Sequence, residues 1–223
     1  MEYIDKIFVI NLNGNEENWN RCLLEFKKNN ITNFERFIFN IPEFKDIKSK
    51  NYRNFSHNFL IKKKIINNIE EYIRFEYAIK IAHLKIIDLS IKKFYNEIII
   101  LEDAFSFKNN FNYEIDLILN EANKCYYGLL YLSDIDKKKE FFSYTSKLKI
   151  IKEIHETLAY SLSNRLFNIF KKTIINSDCE LNKLIRDNIN EKYSIYLSNP
   201  DVIKLSDNLK YEKKKTLTVK IIK

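Results

Sequence analysis

The sequence predicts an α/β fold with a single, mostly parallel central sheet flanked by helices. Three observations carry that expectation. The chain opens strand, helix, strand over residues 6–39, which favours a right-handed crossover between parallel strands. Its strongest strand signal, Glu97 to Leu101 (EIIIL), holds an unbroken apolar run, as strands buried on both faces do. Amphipathic helical stretches separate the strand-like runs.

Lys6 to Leu12 (KIFVINL) reads as a buried strand. Asn15 offers a helix cap, and the stretch to about Lys28 sets Trp19, Cys22, Leu23 and Phe26 on one face. Phe34 to Phe39 (FERFIF) alternates and reads as a second strand. Residues 40–68, with Pro42 and polar clusters, read as irregular, with a helix near Phe59 to Asn68. From Glu70 to Phe94 the residues Ile73, Tyr77, Ile81, Leu84 and Asp88 recur at helical spacing. A helix is expected over Tyr113 to Asn123, a buried strand over Gly128 to Leu132, and a hairpin over Phe141 to Ile154. Thr157 to Ser163 is strand-like and leads into an amphipathic helix to about Ile175. A helix near Cys179 to Asn188 and a strand over Tyr193 to Leu197 complete the pattern. No repeat or Gly/Pro/Ser-rich linker divides the chain. One domain over 1–207 with a basic tail over 208–223 is the simplest division.

Composition narrows the chemistry. The 223 residues include two glycines, Gly14 and Gly128, far apart. A dinucleotide fingerprint needs three clustered glycines, and a P-loop needs two before a Lys. Both are excluded, so a bound nucleotide would need another cradle. Hydrophobic residues make up 45% and aromatics 14%, enough for a sizeable core. Cys22, Cys125 and Cys179 form no metal or redox pattern and read as reduced core residues. The amino terminus does not read as a signal peptide, and no apolar run is long enough to span a membrane, so a cytoplasmic chain is expected. Of the net charge of +8, residues from Lys204 onward carry +5: seven Lys against Asp207 and Glu212. Such a tail suits peripheral contact with anionic lipid; the plainer reading is a solvated Lys-rich tail. The body is nearly balanced, and only six of the 38 basic residues are Arg, so no nucleic-acid partner is expected despite KNYRNF (50–55).

Glu102 and Asp103 end the EIIIL strand. In open α/β sheets ligands bind at that carboxyl edge. Adjacent carboxylates there can hold Mg²⁺ or Mn²⁺, which replaces a glycine cradle for a diphosphate. The alternative is a strand-end pair that caps a turn or pairs with Lys. His83 lies mid-helix, where a lone His is more often a packing residue than a catalyst. His57, His83 and His155 show no metal-ligand spacing. Asp178 precedes an amphipathic stretch and is locally a helix cap.

Four segments, in order, resemble the family 25 glycosyltransferases, which include lipooligosaccharide and collagen galactosyltransferases. IFVINL (7–12) with Arg21 is similar to the family's opening strand and helix. FEYAIKIAHLKI (75–86) resembles its second motif and keeps Glu76 and His83. ILEDA (100–104) resembles its L-E-D-D strand end. ETLAYSLS (156–163) with NSD (176–178) resembles its fourth motif, and YLSNPDVIKLSD (196–207) its close.

This resemblance implies a GT-A-like fold and transfer of a hexose, galactose foremost, from a UDP-sugar to a glycan or protein acceptor with inversion. It implies Mn²⁺ or Mg²⁺ held by Asp103 and Glu102. It implies a donor site of Asn11, Leu12, Arg21, Glu76, His83 and Glu102, with Asp103 and Asp178 as catalytic residues. The sequence departs from the family at Ala104, which stands for the last Asp of L-E-D-D. It also departs at Phe75, Ala78 and Glu156, which stand for glycines, and at Ala82 before His83. Asp103 alone, or Asp134 or Asp136, could then serve a metal. The alternative is a degenerate glycosyltransferase fold kept for binding or assembly.

Overall fold

The structure, a computed structural model, describes residues 3–47, 69–133, 141–151, 158–176, 195–198 and 202–206. Its strands are β1 (Lys6–Leu12), β2 (Phe34–Phe39), β3 (Glu97–Glu102), β4 (Phe105–Phe107), β5 (Leu129–Tyr131), β6 (Phe141–Ser143), β7 (Leu148–Ile151), β8 (Ala159–Ser163), β9 (Ile195–Ser198) and β10 (Ile203–Leu205). Its helices are α1 (Glu16–Lys28), α2 (Ile69–Lys92), α3 (Phe111–Lys124) and α4 (Asn164–Asn176), with a single 3₁₀ turn at Phe44–Asp46. Eight strands form one sheet in the order β2-β1-β3-β8-β5-β9-β7-β6. The expected mostly parallel sheet is present: β1 pairs in parallel with β2 and β3, and β5 with β9. β8 and β7 run against the other strands. A small second sheet pairs β4 with β10, antiparallel.

Alternation along the strands sorts side chains into two cores, one per sheet face. Ile7, Val9, Ile99, Leu101, Leu130 and Leu132 pack with Cys22 and Phe26 of α1 and Ile115, Ile118 and Leu119 of α3. Phe8, Ile10, Ile98, Ile100, Tyr131 and Tyr160 pack with Ala82, Ile86 and Ile87 of α2 and Phe167 and Phe170 of α4. The EIIIL run is buried on both faces, as its sequence requires: Ile98 to Leu101 are all 0% exposed. Each such side chain contributes about 1.5–3 kcal/mol by leaving water. Among the described residues no helix is long and apolar enough to cross a membrane.

Most expected elements are found within a residue or two. Asn15 does cap α1, its Oδ1 accepting from Asn18 N at 3.3 Å. Leu23 departs from its expected face: it is 36% exposed, because α1 buries only the arc of Cys22 and Phe26. β4 and β10 have no counterpart in the sequence reading, since three residues carry too little alternation to register. The helices expected near 59–68 and 179–188 lie outside the described residues.

Scarce glycine leaves a mark at the helix ends. Asn30, Phe94, Asn110 and Tyr126 all adopt positive φ. After α2, Phe94 has φ 56° and is 89% exposed. A bulky residue is strained there and gains nothing from burial. Phe94→Gly is expected to raise stability by about 1 kcal/mol, read as a higher urea midpoint at unchanged slope.

Candidate functional site at the carboxyl edge

β1 and β3 lie side by side and end together, with Ile10 opposite Glu102. The chain turns at Asp103, whose N–H donates to Ile10 O at 3.2 Å. Asn11 follows Ile7 and Val9 on the α1-facing side and is fully buried. Its Nδ2 donates to Asp103 Oδ2 at 2.7 Å, and Asn15 Nδ2 reaches the same oxygen at 3.5 Å. Arg21, from α1, donates to the carbonyls of Asp103 and Phe105, the latter at 3.0 Å. It therefore braces the turn through its backbone. Cys22 lies beneath, its thiol 3.5 Å from the Asp103 carbonyl, and burial pushes its pKa up to about 12. That protonated thiol is packing, as the sequence indicates.

Arg36 on β2 was missed by the sequence reading. Its Nε and Nη2 donate to Asn11 Oδ1 at 2.9 and 2.6 Å, and its two terminal nitrogens donate to Glu16 at 2.9 and 2.7 Å. Its guanidinium lies 5.1 Å from the Trp19 ring centroid. The alternating FERFIF strand signalled a polar residue among apolar ones, but not which strand end it would meet.

Glu102 belongs to the opposite face, following Ile98 and Ile100 toward α2. His83 from α2 and Tyr160 from β8 meet there: His83 Nδ1 and Tyr160 Oη are 2.6 Å apart, with the rings stacked. Burial pushes the His83 pKa from 6.5 down to about 4, and the nearby Glu102 carboxylate opposes that shift. Burial, with Tyr131 and the same carboxylate nearby, holds the Tyr160 phenol well above its ordinary range. Among the described residues, His83 Nε2, Tyr131 Oη and Ser133 Oγ are buried without hydrogen-bond partners.

A buried neutral His makes stability depend on pH. Its folded pKa lies below the unfolded value, so between pH 6.5 and about 4 the unfolded chain binds the extra proton. Stability is fully present above that window and is lost as pH falls through it, by about 2 kcal/mol between pH 7 and pH 5. His83→Gln is expected to remove this component, measured as urea unfolding free energies of both proteins at the two pH values. An identical pH dependence in the variant would contradict the assignment.

The structure thus gathers residues from all four motif segments around one strand end. Asn11 and Arg21 come from the first, His83 from the second, Glu102 and Asp103 from the third, and Tyr160 from the fourth. Leu12 is half-buried at the end of β1. Glu76 lies two turns before His83 on α2 and is half-buried. Asp178, Asp134 and Asp136 lie outside the described residues.

Among the described residues no three His, Cys, Asp or Glu side chains converge as a metal site. Asp103 and Glu102 supply hard oxygen donors, the chemistry Mg²⁺ and Mn²⁺ accept when water and phosphate complete the shell. Ala104 supplies none: it is 2% exposed, packed with Phe105 and Cys22, and its carbonyl accepts from Ser206 N at 2.8 Å.

No family model matches the chain, and no curated protein matches it in sequence. Solved structures similar to it include a glycosyltransferase involved in the glycosylation of the major capsid of PBCV-1 (TM-score 0.48, 7% identity, covering 96% of this chain and 98% of that one). A UDP-glucose pyrophosphorylase from Acinetobacter baumanii is similar at TM-score 0.48 and 10% identity, over 87% of this chain and 85% of that one. A protein from STIV is similar at TM-score 0.46 and 9% identity, over 90% and 93%. Likenesses of this degree assign neither family nor activity to this chain.

Proposed function

We propose that the chain is a family 25-like glycosyltransferase of GT-A type that moves a hexose, galactose foremost, from a UDP-sugar to a glycan or protein acceptor. One observation carries this reading: the four motif segments, scattered over residues 7–178, supply Asn11, Arg21, His83, Glu102, Asp103 and Tyr160 to one sheet edge. That carboxyl edge is where open α/β sheets bind ligands.

In this reading Asn11 and Leu12 border the uridine, and Asp103 faces the donor with its carboxylate turned by the Asn11 amide. Arg21 keeps the turn in place through its carbonyls. Glu102, backed by the His83–Tyr160 pair, lies on the other side of the strand end, with Glu76 and His83 bracing the donor pocket. Asp103 would hold Mn²⁺ or Mg²⁺ together with water and the diphosphate, Glu102 adding negative charge from the other side of the strand end, and the ion would neutralise charge on the departing diphosphate. Asp178 is the acceptor-side base, withdrawing the hydroxyl proton as the oxygen attacks the anomeric carbon. The test is calorimetry with UDP and Mn²⁺. Saturable binding is expected; none at millimolar UDP would remove the donor site.

Ala104 favours a second reading, a degenerate fold kept for binding or assembly. Its core position offers no carboxylate where the family pattern has one. Transfer or hydrolysis of a UDP-sugar by the purified protein would eliminate it. For the basic tail over 208–223 we propose peripheral contact with anionic membranes. Equal vesicle binding by the full chain and by one truncated after Asp207 would count against that.

A further inference from the structure

We propose that Arg36 is the positioning residue for the Asp103 carboxylate, acting through the side-chain amide of Asn11. The proposal rests on the reading that Asp103 faces the donor. A primary amide presents one acceptor oxygen and one donor NH₂, and the two ends look alike in shape but not in charge. Asn11 is 0% exposed, so water cannot choose its orientation. Arg36 is the main determinant: two of its N–H groups, from Nε and Nη2, converge on Asn11 Oδ1 at 2.9 and 2.6 Å, while Nδ2 also donates to the Asn15 carbonyl at 3.2 Å. With the oxygen held there, Nδ2 points at Asp103 Oδ2, 2.7 Å away. The flipped amide would set oxygen against carboxylate and NH₂ against guanidinium, both repulsive.

Arg36 is itself held. Glu16 accepts from both terminal nitrogens, and the Trp19 ring lies beneath the guanidinium. The side chain of Arg36 is 16% exposed while that of Glu16 is 61% exposed, so the chain of contacts runs from the surface inward to Asp103. A lysine could not replace this. One ammonium cannot place two N–H groups on the Asn11 oxygen and still grip both Glu16 oxygens. Glu16, by contrast, only steadies a guanidinium that Trp19 also holds.

The experiment is UDP titration with Mn²⁺ by calorimetry on the full chain. Arg36→Lys is expected to weaken binding by about tenfold or more. Glu16→Gln, an exposed partner, is expected to change it by less than about threefold. A merely structural Arg36 would weaken binding equally in any background. Acting through the carboxylate, it should lose its effect once the carboxylate is gone. Arg36→Lys added to Asp103→Asn is therefore expected to leave binding as it is in Asp103→Asn alone. Additive losses would overturn the proposal.

Wild type, Arg36→Lys, Asp103→Asn and the double variant, unfolded in urea, supply a readout that needs no donor. Coupling between the two positions is expected, and independent contributions would overturn the proposal. Should the wild-type chain bind no UDP, the donor reading falls, and the urea cycle still decides whether Arg36 positions Asp103. Trp19 is the chain's lone tryptophan, so its emission follows the Arg36 contact in each variant. A loss of the Arg36 contact is expected to shift that emission in Arg36→Lys, while an unshifted spectrum would contradict the stacked geometry.

Discussion

Asp103→Asn is expected, on the proposed function, to lower hexose transfer by about 10²–10³-fold with the fold intact. The carboxylate follows β3 directly at the edge where β1 also ends, and its Oδ2 accepts from Asn11 and Asn15. A carboxamide matches the carboxylate in volume and keeps one accepting oxygen, but the bond from Asn11 is no longer charge-assisted. What disappears is the negative charge, and with it the electrostatic grip on a metal and diphosphate that the proposed function assigns to it. The brace from Arg21 survives because it ends on backbone carbonyls. The check pairs initial rates for a UDP-sugar with the melting temperature. Unchanged turnover would refute the assigned role, and a large drop in melting temperature would show that the substitution acts through folding.

The second large effect concerns one of the two glycines. A Cβ added to Gly128 would fall 2.4 Å from both Cγ and Cδ1 of Leu166. Gly128 leads into β5, and Leu166 in α4 is 2% exposed, packed among Phe167, Phe170 and Tyr160. Leu166 cannot withdraw without disturbing that layer. Gly128→Val is expected to cost about 3 kcal/mol, which lowers the melting temperature by about 6–12 °C at this chain length. Adding Leu166→Ala should recover part of the loss, because the branch then occupies the space vacated. A valine variant as stable as the wild type would show that the layer yields more readily than its burial indicates. Gly14 differs: nothing lies within 4 Å of its would-be Cβ, and its need for glycine is a φ of +83°.

The alternation and apolar runs were enough to locate the main strands and helices. Period-two and helical patterns are local, and a strand such as Ile98–Leu101 records its two-sided burial in its own composition. Short strands such as β4 and β10 were illegible because three residues hold no period. The reversal of β8 between β3 and β5 was illegible too, since strand order follows from pairing between distant segments.

The candidate site divides the same way. Asn11, Arg21, His83, Glu102 and Asp103 could be named from their segments. Their partners could not. Tyr160 reaches His83 across 77 positions and Arg36 reaches Asn11 across 25, through neighbours that only the assembled sheet supplies. Arg36 looked like one more cation in a Lys-rich chain until β2 was laid beside β1.

By itself, then, the sequence determined the α/β class, the exclusion of a glycine-rich phosphate cradle and the strand end at Glu102-Asp103. The tertiary structure decided that these two adjacent carboxylates serve opposite faces. Glu102, the last residue of β3, follows Ile98 and Ile100 to His83 and Tyr160 on the α2 side, while Asp103 lies in the turn that follows and meets Asn11 on the α1 side. Which partners they meet there depends on which helix covers each face, and that is settled only when the whole sheet is packed.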